Sequence, residues 1–187
     1  MSTLTTPAKK GLNFDLLQKL GKVLMTVIAV MPAAGIMLSL GKLFQMMDLG
    51  LMITIGSTME NIGWAIITNL HILFAVAIGG SWAGERAGGA FAALLTFILI
   101  NRVTGAVFGV TSAMLADADA TVTSFFGQEM LVSNYFTNIL GAPALNMGVF
   151  VGIISGFVGG MVYNKFYNFR KLPDALAFFN GKRFVPM

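Results

Sequence analysis

Four polar side chains sit where the surrounding chain carries almost no charge. Asn69 and His71 lie in one long apolar run, and Asn101 and Arg102 lie in the next. Inside hydrocarbon such groups are expensive, so each is a functional candidate by default. A helix rises 1.5 Å per residue, which puts His71 roughly 16 Å above Trp82 and Arg102 roughly 21 Å above Gly88. Asn69, His71, Asn101 and Arg102 are therefore a candidate polar layer between two facing helices. The plainer alternative has Arg102 snorkelling to the interface and His71 bonded to a backbone carbonyl. Glu60 reads as a solvated helix end. The chain has no cysteine and one histidine. That removes thiolate metal sites and cysteine nucleophiles and makes a zinc cluster untenable. No catalytic, cofactor-binding or metal-binding residue is expected.

The second pattern is made of glycine. Gly148, Gly152, Gly156 and Gly160 recur every fourth residue, with Ala144 one step earlier. On a helix four steps return to nearly the same face, so these five form a flat packing face that another backbone can approach closely. The face fits either packing within one chain or a subunit interface. Gly80, Gly84 and Gly88 surround Glu85–Arg86 and read as a tight turn between close helices. The GxxxxGK[ST] pattern of a phosphate-binding loop is absent.

These residues must be held by membrane helices. Of 187 residues, 56% are hydrophobic and 11% charged, and the mean hydropathy is +0.80. Soluble domains carry about 25% charged residues. Sixteen Phe and thirteen Met exclude a disordered coil, and a net charge of only +4 does not suit a nucleic-acid surface. The chain reads as an all-α polytopic membrane bundle. Four runs are long enough to cross: Val23–Gly41, kinked at Pro32, then Asn61–Gly84, Ala87–Val110, and a last one with its apolar core at Ala142–Tyr163. An amphipathic helix, capped at Asn13 with Leu16, Leu17 and Leu20 on one face, precedes an uncleaved first span. Trp64 and Trp82 would mark the two ends of span two.

Ten basic residues fall on one side of a four-span chain: Lys9, Lys10, Lys19, Lys22, Arg86, Lys165, Arg170, Lys171, Lys182 and Arg183. The connection Thr111–Leu140 has Asp117, Asp119 and Glu129 and no Lys or Arg. The positive-inside rule then puts both termini in the cytoplasm and this connection outside, with Phe125, Phe126, Tyr135 and Phe136 suited to the outer interface.

Three strings carry a family resemblance. They are FDLLQKLGKVLMTVIAVMPAAGIML (Phe14–Leu38), NLHILFAVAIGGSWAGERAGGAFAAL (Asn69–Leu94) and KLPDALAFFNGKRFVPM (Lys171–Met187). Together they resemble the membrane-embedded IIC component of the phosphoenolpyruvate-dependent sugar phosphotransferase system, in its glucose, maltose and N-acetylglucosamine branch. His71 replaces a common proline of that family. The resemblance implies a homodimeric permease of about ten spans in the bacterial cytoplasmic membrane. Its sugar is phosphorylated by a IIB domain supplied through IIA, and its sugar site lies in the second half near a GITEP-like stretch. That stretch and the IIB phosphocysteine are absent here.

The expectation is thus an N-terminal half of a IIC domain. Residues 1–22 would form a cytoplasmic tail and interfacial helix, 23–164 the membrane part, and 165–187 a basic cytoplasmic segment. Such a half would supply scaffold and dimerisation without transporting by itself. The rival reading is a non-transporting helix-packing membrane protein, a regulator or receptor built on the same scaffold. Whether the gene continues in frame past codon 187 separates the two.

Overall fold

A computed structural model describes residues 14–47, 49–167 and 173–174. The cap expected at Asn13, the side chain of Leu16 and nearly all of the string after Lys171 lie outside the described residues, as do Lys9, Lys10, Arg170, Lys182 and Arg183.

The first helix, α1 (Phe14–Ile28), continues through position 22 without interruption and gives way to α2 (Met31–Gln45). Pro32 is the cause of the break. It has no N–H for the Ile28 carbonyl, and its ring would collide with that carbonyl in a continuous helix. It sits instead in the first turn of α2, where a missing N–H costs nothing. α1 lays Val23 and Val27 on Phe74 and Ile78.

Then α3 (Gly50–Thr68) and α4 (Leu70–Trp82) follow, bent by 53° at Asn69. The expected straight span Asn61–Gly84 is corrected here: the helix begins at Gly50, passes through Glu60 and breaks at Asn69. Glu60 does not end the helix because Lys42 Nζ lies 2.6 Å from it, and Gln45 Nε2 donates to its other oxygen at 2.8 Å. At the break Asn69 Nδ2 donates to the Ala65 carbonyl and Thr68 Oγ1 to that of Trp64. Such side-chain bonds compete with the helical ladder. Trp64 and Trp82 therefore lie on two differently directed helices.

α5 (Arg86–Val107) matches the third expected span closely. After it come α6 (Ser112–Ala116), strands β1 (Thr121–Thr123) and β2 (Glu129–Leu131), α7 (Val132–Tyr135), and strands β3 (Phe136–Ile139) and β4 (Ala142–Leu145). β1 pairs antiparallel with β2, and β3 with β4. This connection has its own core of Val110, Val122, Val132 and Phe136. Phe125 and Phe126 stand exposed at the tip of the first hairpin. Leu140 and Gly141, both at positive φ, make the two-residue turn of the second.

The last helix, α8, spans Val149–Phe166. Its start corrects the expected apolar core Ala142–Tyr163: Ala142–Leu145 is strand, not helix. Gly148, at φ 54°, is the residue before the helix and turns the chain into it. Among the described residues three helical segments, or four if the bent α3–α4 pair counts as one, are long and apolar enough to cross a membrane. The fold is an all-α polytopic membrane bundle with a small hairpin cap at one end.

Candidate functional site

α8 is built into the bundle by its small residues. A Cβ placed on Gly152 would strike the His71 carbonyl, one on Gly156 would lie 2.7 Å from Ile78 Cβ, and one on Gly160 3.0 Å from Trp82 Cβ. Positions rise together on both helices, so α4 and α8 run parallel, and three of the five ladder residues form their seam. Ala144 is not on this face, since it lies in β4. Gly148 is not on it either, since space around it is open. Gly159 faces the Ala93 backbone of α5 instead. α8 thereby packs two helices at once.

At one end of this seam the chain is clasped. Asn164 Oδ1 accepts from Gly84 N at 2.7 Å, and its Nδ2 donates to the Trp82 carbonyl at 2.9 Å. Tyr163 donates its hydroxyl to Glu85 at 2.8 Å, and its ring lies against Gly88. Of the glycines around this turn, the tightest backbone approach uses Gly79 and Gly89. Cβ atoms there would sit 2.7 and 2.6 Å from the opposite carbonyl oxygens. Tyr163, Asn164, Gly79 and Gly89 were not singled out by sequence. Their only signal was polar or small residues placed next to a turn.

The candidate polar layer lies at the other end and is only partly brought together. Asn101 is 3% exposed. Its Nδ2 donates to the Phe97 carbonyl, and its Oδ1 has no partner. His71 packs its ring 5.1 Å from that of Phe97, and its Nε2 has no partner. Phe97 is thus common to both, and no hydrogen bond joins them. Asn69 is exposed at the helix break. Arg102 is also exposed and donates from Nη2 to the Leu140 carbonyl at 3.3 Å, holding the β3–β4 turn against α5.

His71 opens onto a cavity of about 390 Å³ between the helix break and the second hairpin. Thr68, Thr137, Asn138 and Asn146 supply its other polar groups. Among the described residues the lining has hydrogen-bond donors and acceptors but no carboxylate, lysine or arginine. That chemistry suits water or a neutral hydroxylated molecule. Among the described residues no group of three His, Asp or Glu side chains could hold a metal.

Helices of this length around glycine seams, with a polar notch at one end, define a polytopic membrane domain. The chain belongs to the phosphotransferase system EIIC family, whose model matches residues 21–187. It is similar to the glucose-specific EIICBA component of the phosphotransferase system of Streptococcus pneumoniae, with 65% identity over 95% of this chain and 25% of that protein. It is also similar to the glucose-specific EIICBA component of Staphylococcus carnosus, with 39% identity over 93% of this chain and 25% of that protein. The chain therefore spans about a quarter of the length of these curated relatives.

Proposed function

We propose that residues 1–187 are the scaffold part of a sugar permease of the glucose type, acting with IIB and IIA phosphocarrier domains in the bacterial cytoplasmic membrane. The 65% identity to a glucose-specific component carries this reading and favours glucose over maltose. In it, residues 1–22 are tail and entry helix, 23–164 the membrane part and 165–187 a cytoplasmic segment. The complete protein acts as a homodimer. Because the face of Gly152, Gly156 and Gly160 is occupied by α4 of the same chain, another surface makes the dimer. The α2–α3 pair is suited to that, since it packs mainly on itself and turns Ile36, Leu40, Leu43 and Ile62 outward.

The charge pattern supports cytoplasmic termini. Lys19 lies over Trp82, Lys19 and Lys22 share a cavity with Arg86, and Lys165 follows Asn164, which is bonded to the same turn. Asp117, Asp119 and Glu129 belong to the opposite, hairpin end. A cysteine introduced at Ala118 is expected to react with an impermeant reagent from outside intact cells. Reaction only after permeabilisation would reverse the topology. Chain 1–187 expressed alone is expected to show no glucose uptake above background and no saturable glucose binding. Saturable micromolar binding would overturn the scaffold reading and point to the cavity beside His71.

A further inference from the structure

α1 crosses α4 close to the α4–α5 turn, leaving two adjoining cavities of about 480 and 290 Å³. Val23, Thr26, Ser81 and Arg86 line both. Lys19 and Lys22 line the smaller, and Ala87 the larger. Three cations and two hydroxyls thus converge, from parts of the sequence more than fifty residues apart, with no carboxylate among the described residues of either lining. Among the described residues the ion pair is between Lys42 and Glu60, and none reaches Lys19, Lys22 or Arg86. The neighbouring Glu85 accepts from Tyr163 on α8.

Lys19, Lys22 and Arg86 are exposed at the mouth of one small cavity, and three like charges so placed repel one another. An anion in their midst turns that repulsion into attraction. The backbone adds to this. α5 is 22 residues long and starts at Arg86 without a side-chain cap, and Arg86 and Ala87 of its first turn line the larger cavity, so the positive end of its dipole lies beside the notch. The Lys19 ammonium stands 5.3 Å from the centre of the Trp82 ring. Tryptophan favours the headgroup level of a bilayer, which sets the depth of the notch.

We infer that this notch is a phosphate site, formed by Lys19, Lys22, Arg86 and Ser81, for the phosphate of an anionic lipid headgroup or for free phosphate. The shared chemistry is a tetrahedral oxyanion met by an arginine fork, two ammonium groups and a hydroxyl. General attraction between basic residues and an acidic membrane would need no cavity and no convergence of α1 with α5. Lys165, at the same end but outside both linings, separates the two explanations.

The test uses the full chain in a neutral detergent, with Trp64→Phe so that Trp82 is the sole tryptophan. Brominated phosphatidylglycerol is titrated and quenching of Trp82 recorded, against brominated phosphatidylcholine and against inorganic phosphate as competitor. Each notch charge is expected to be worth about fivefold in apparent affinity. Lys22→Gln and Arg86→Gln should each lose that factor, while Arg86→Lys keeps most of the binding and checks that the fold survives. Lys165→Gln should bind as the parent does. Preference for phosphatidylglycerol that millimolar phosphate does not relieve assigns the site to lipid. Displacement by phosphate, with a thermal shift produced by phosphate alone, assigns it to the free ion. Equal quenching by both lipids with no effect of phosphate, or equal losses in Lys165→Gln and Arg86→Gln, would overturn the site.

Discussion

The α4–α5–α8 bundle and the α2–α3 pair solve the same problem with different means. Lipid gives helices no hydrophobic reason to associate, so both rely on close contact. In the bundle every helix meets two others. Gly152, Gly156 and Gly160 serve α4, Gly159 serves α5, and Gly79 meets Gly89. Apart from Asn101, the side chains this buries are apolar or small and uncharged. The α2–α3 pair has one seam, where Gly41 lies against Gly56 and Gly63 against Leu38. It adds a polar bridge, Lys42 and Gln45 on Glu60. Three-way packing holds a helix in place mainly by shape, with the polar clasp of Tyr163 and Asn164 confined to the turn at one end. A two-helix pair can slide, and a charged bridge at one height fixes its register. A charge inside an apolar run is therefore a sign of pairing as readily as of an ending.

The sharpest way to break the contrast is Gly152→Leu or Gly156→Leu. A leucine there has nowhere to go but into the α4 backbone, and overpacking of this kind costs about 3 kcal/mol. Thermal unfolding in detergent should fall steeply, while whatever dimer remains folded should persist, because this seam is internal. If the dimer dissociates before the fold is lost, the seam lies between subunits. Gly41→Leu comes next, at about 1–3 kcal/mol. It should separate α2 from α3 and leave the bundle intact. Loss of a zero-length carbodiimide cross-link between the native Lys42 and Glu60 would report the first, and unchanged Trp82 fluorescence the second. A collapse of both signals would mean that the pair and the bundle fold as one unit. Asn164→Ala is smaller, about 1 kcal/mol for hydrogen bonds at an exposed turn, and Ile154→Leu, on an exposed face, is the smallest, within about 0.5 kcal/mol of the parent. Val151→Leu belongs with the damaging changes and not with Ile154, because Val151 is fully enclosed by Ala75 and Phe97.

Much of the membrane architecture was legible. The charge-free runs located α2, α5 and most of α8, and Pro32 marked the first interruption. Three of the evenly spaced glycines, Gly152, Gly156 and Gly160, lie on the α4–α8 seam, though their spacing did not name the partner helix. What failed did so for physical reasons. Glu60 is neutralised by a partner 18 residues earlier, so the run-length criterion began span two too late, at Asn61 where the helix begins at Gly50, and missed the bend at Asn69. Ala142–Leu145 is as apolar as a helix but belongs to a hairpin, because Leu140–Gly141 turns the strand back and Gly148 restarts the chain. Of the four polar residues, His71 and Asn101 share the neighbour Phe97, while Asn69 and Arg102 are exposed and make separate contacts. Their level along the helices did not say which pairs face each other, since that depends on helix rotation and on the bend at Asn69.

α4 has 13 residues and so reaches only about 20 Å, against roughly 30 Å of hydrocarbon. The remainder of its column is filled by the oblique end of α3 and by the second hairpin, whose strands pair with each other and whose Leu140 carbonyl and Leu145 N–H are met by Arg102 and Thr104 of α5. The bilayer around this column has a reason to be thin. Lipids with short acyl chains meet α4 without strain, and long ones must either bow inward or expose the polar cavity beside His71 to their tails. The domain should accordingly be sensitive to membrane thickness on the hairpin side and indifferent to it along α5, whose 22 residues cover the full width.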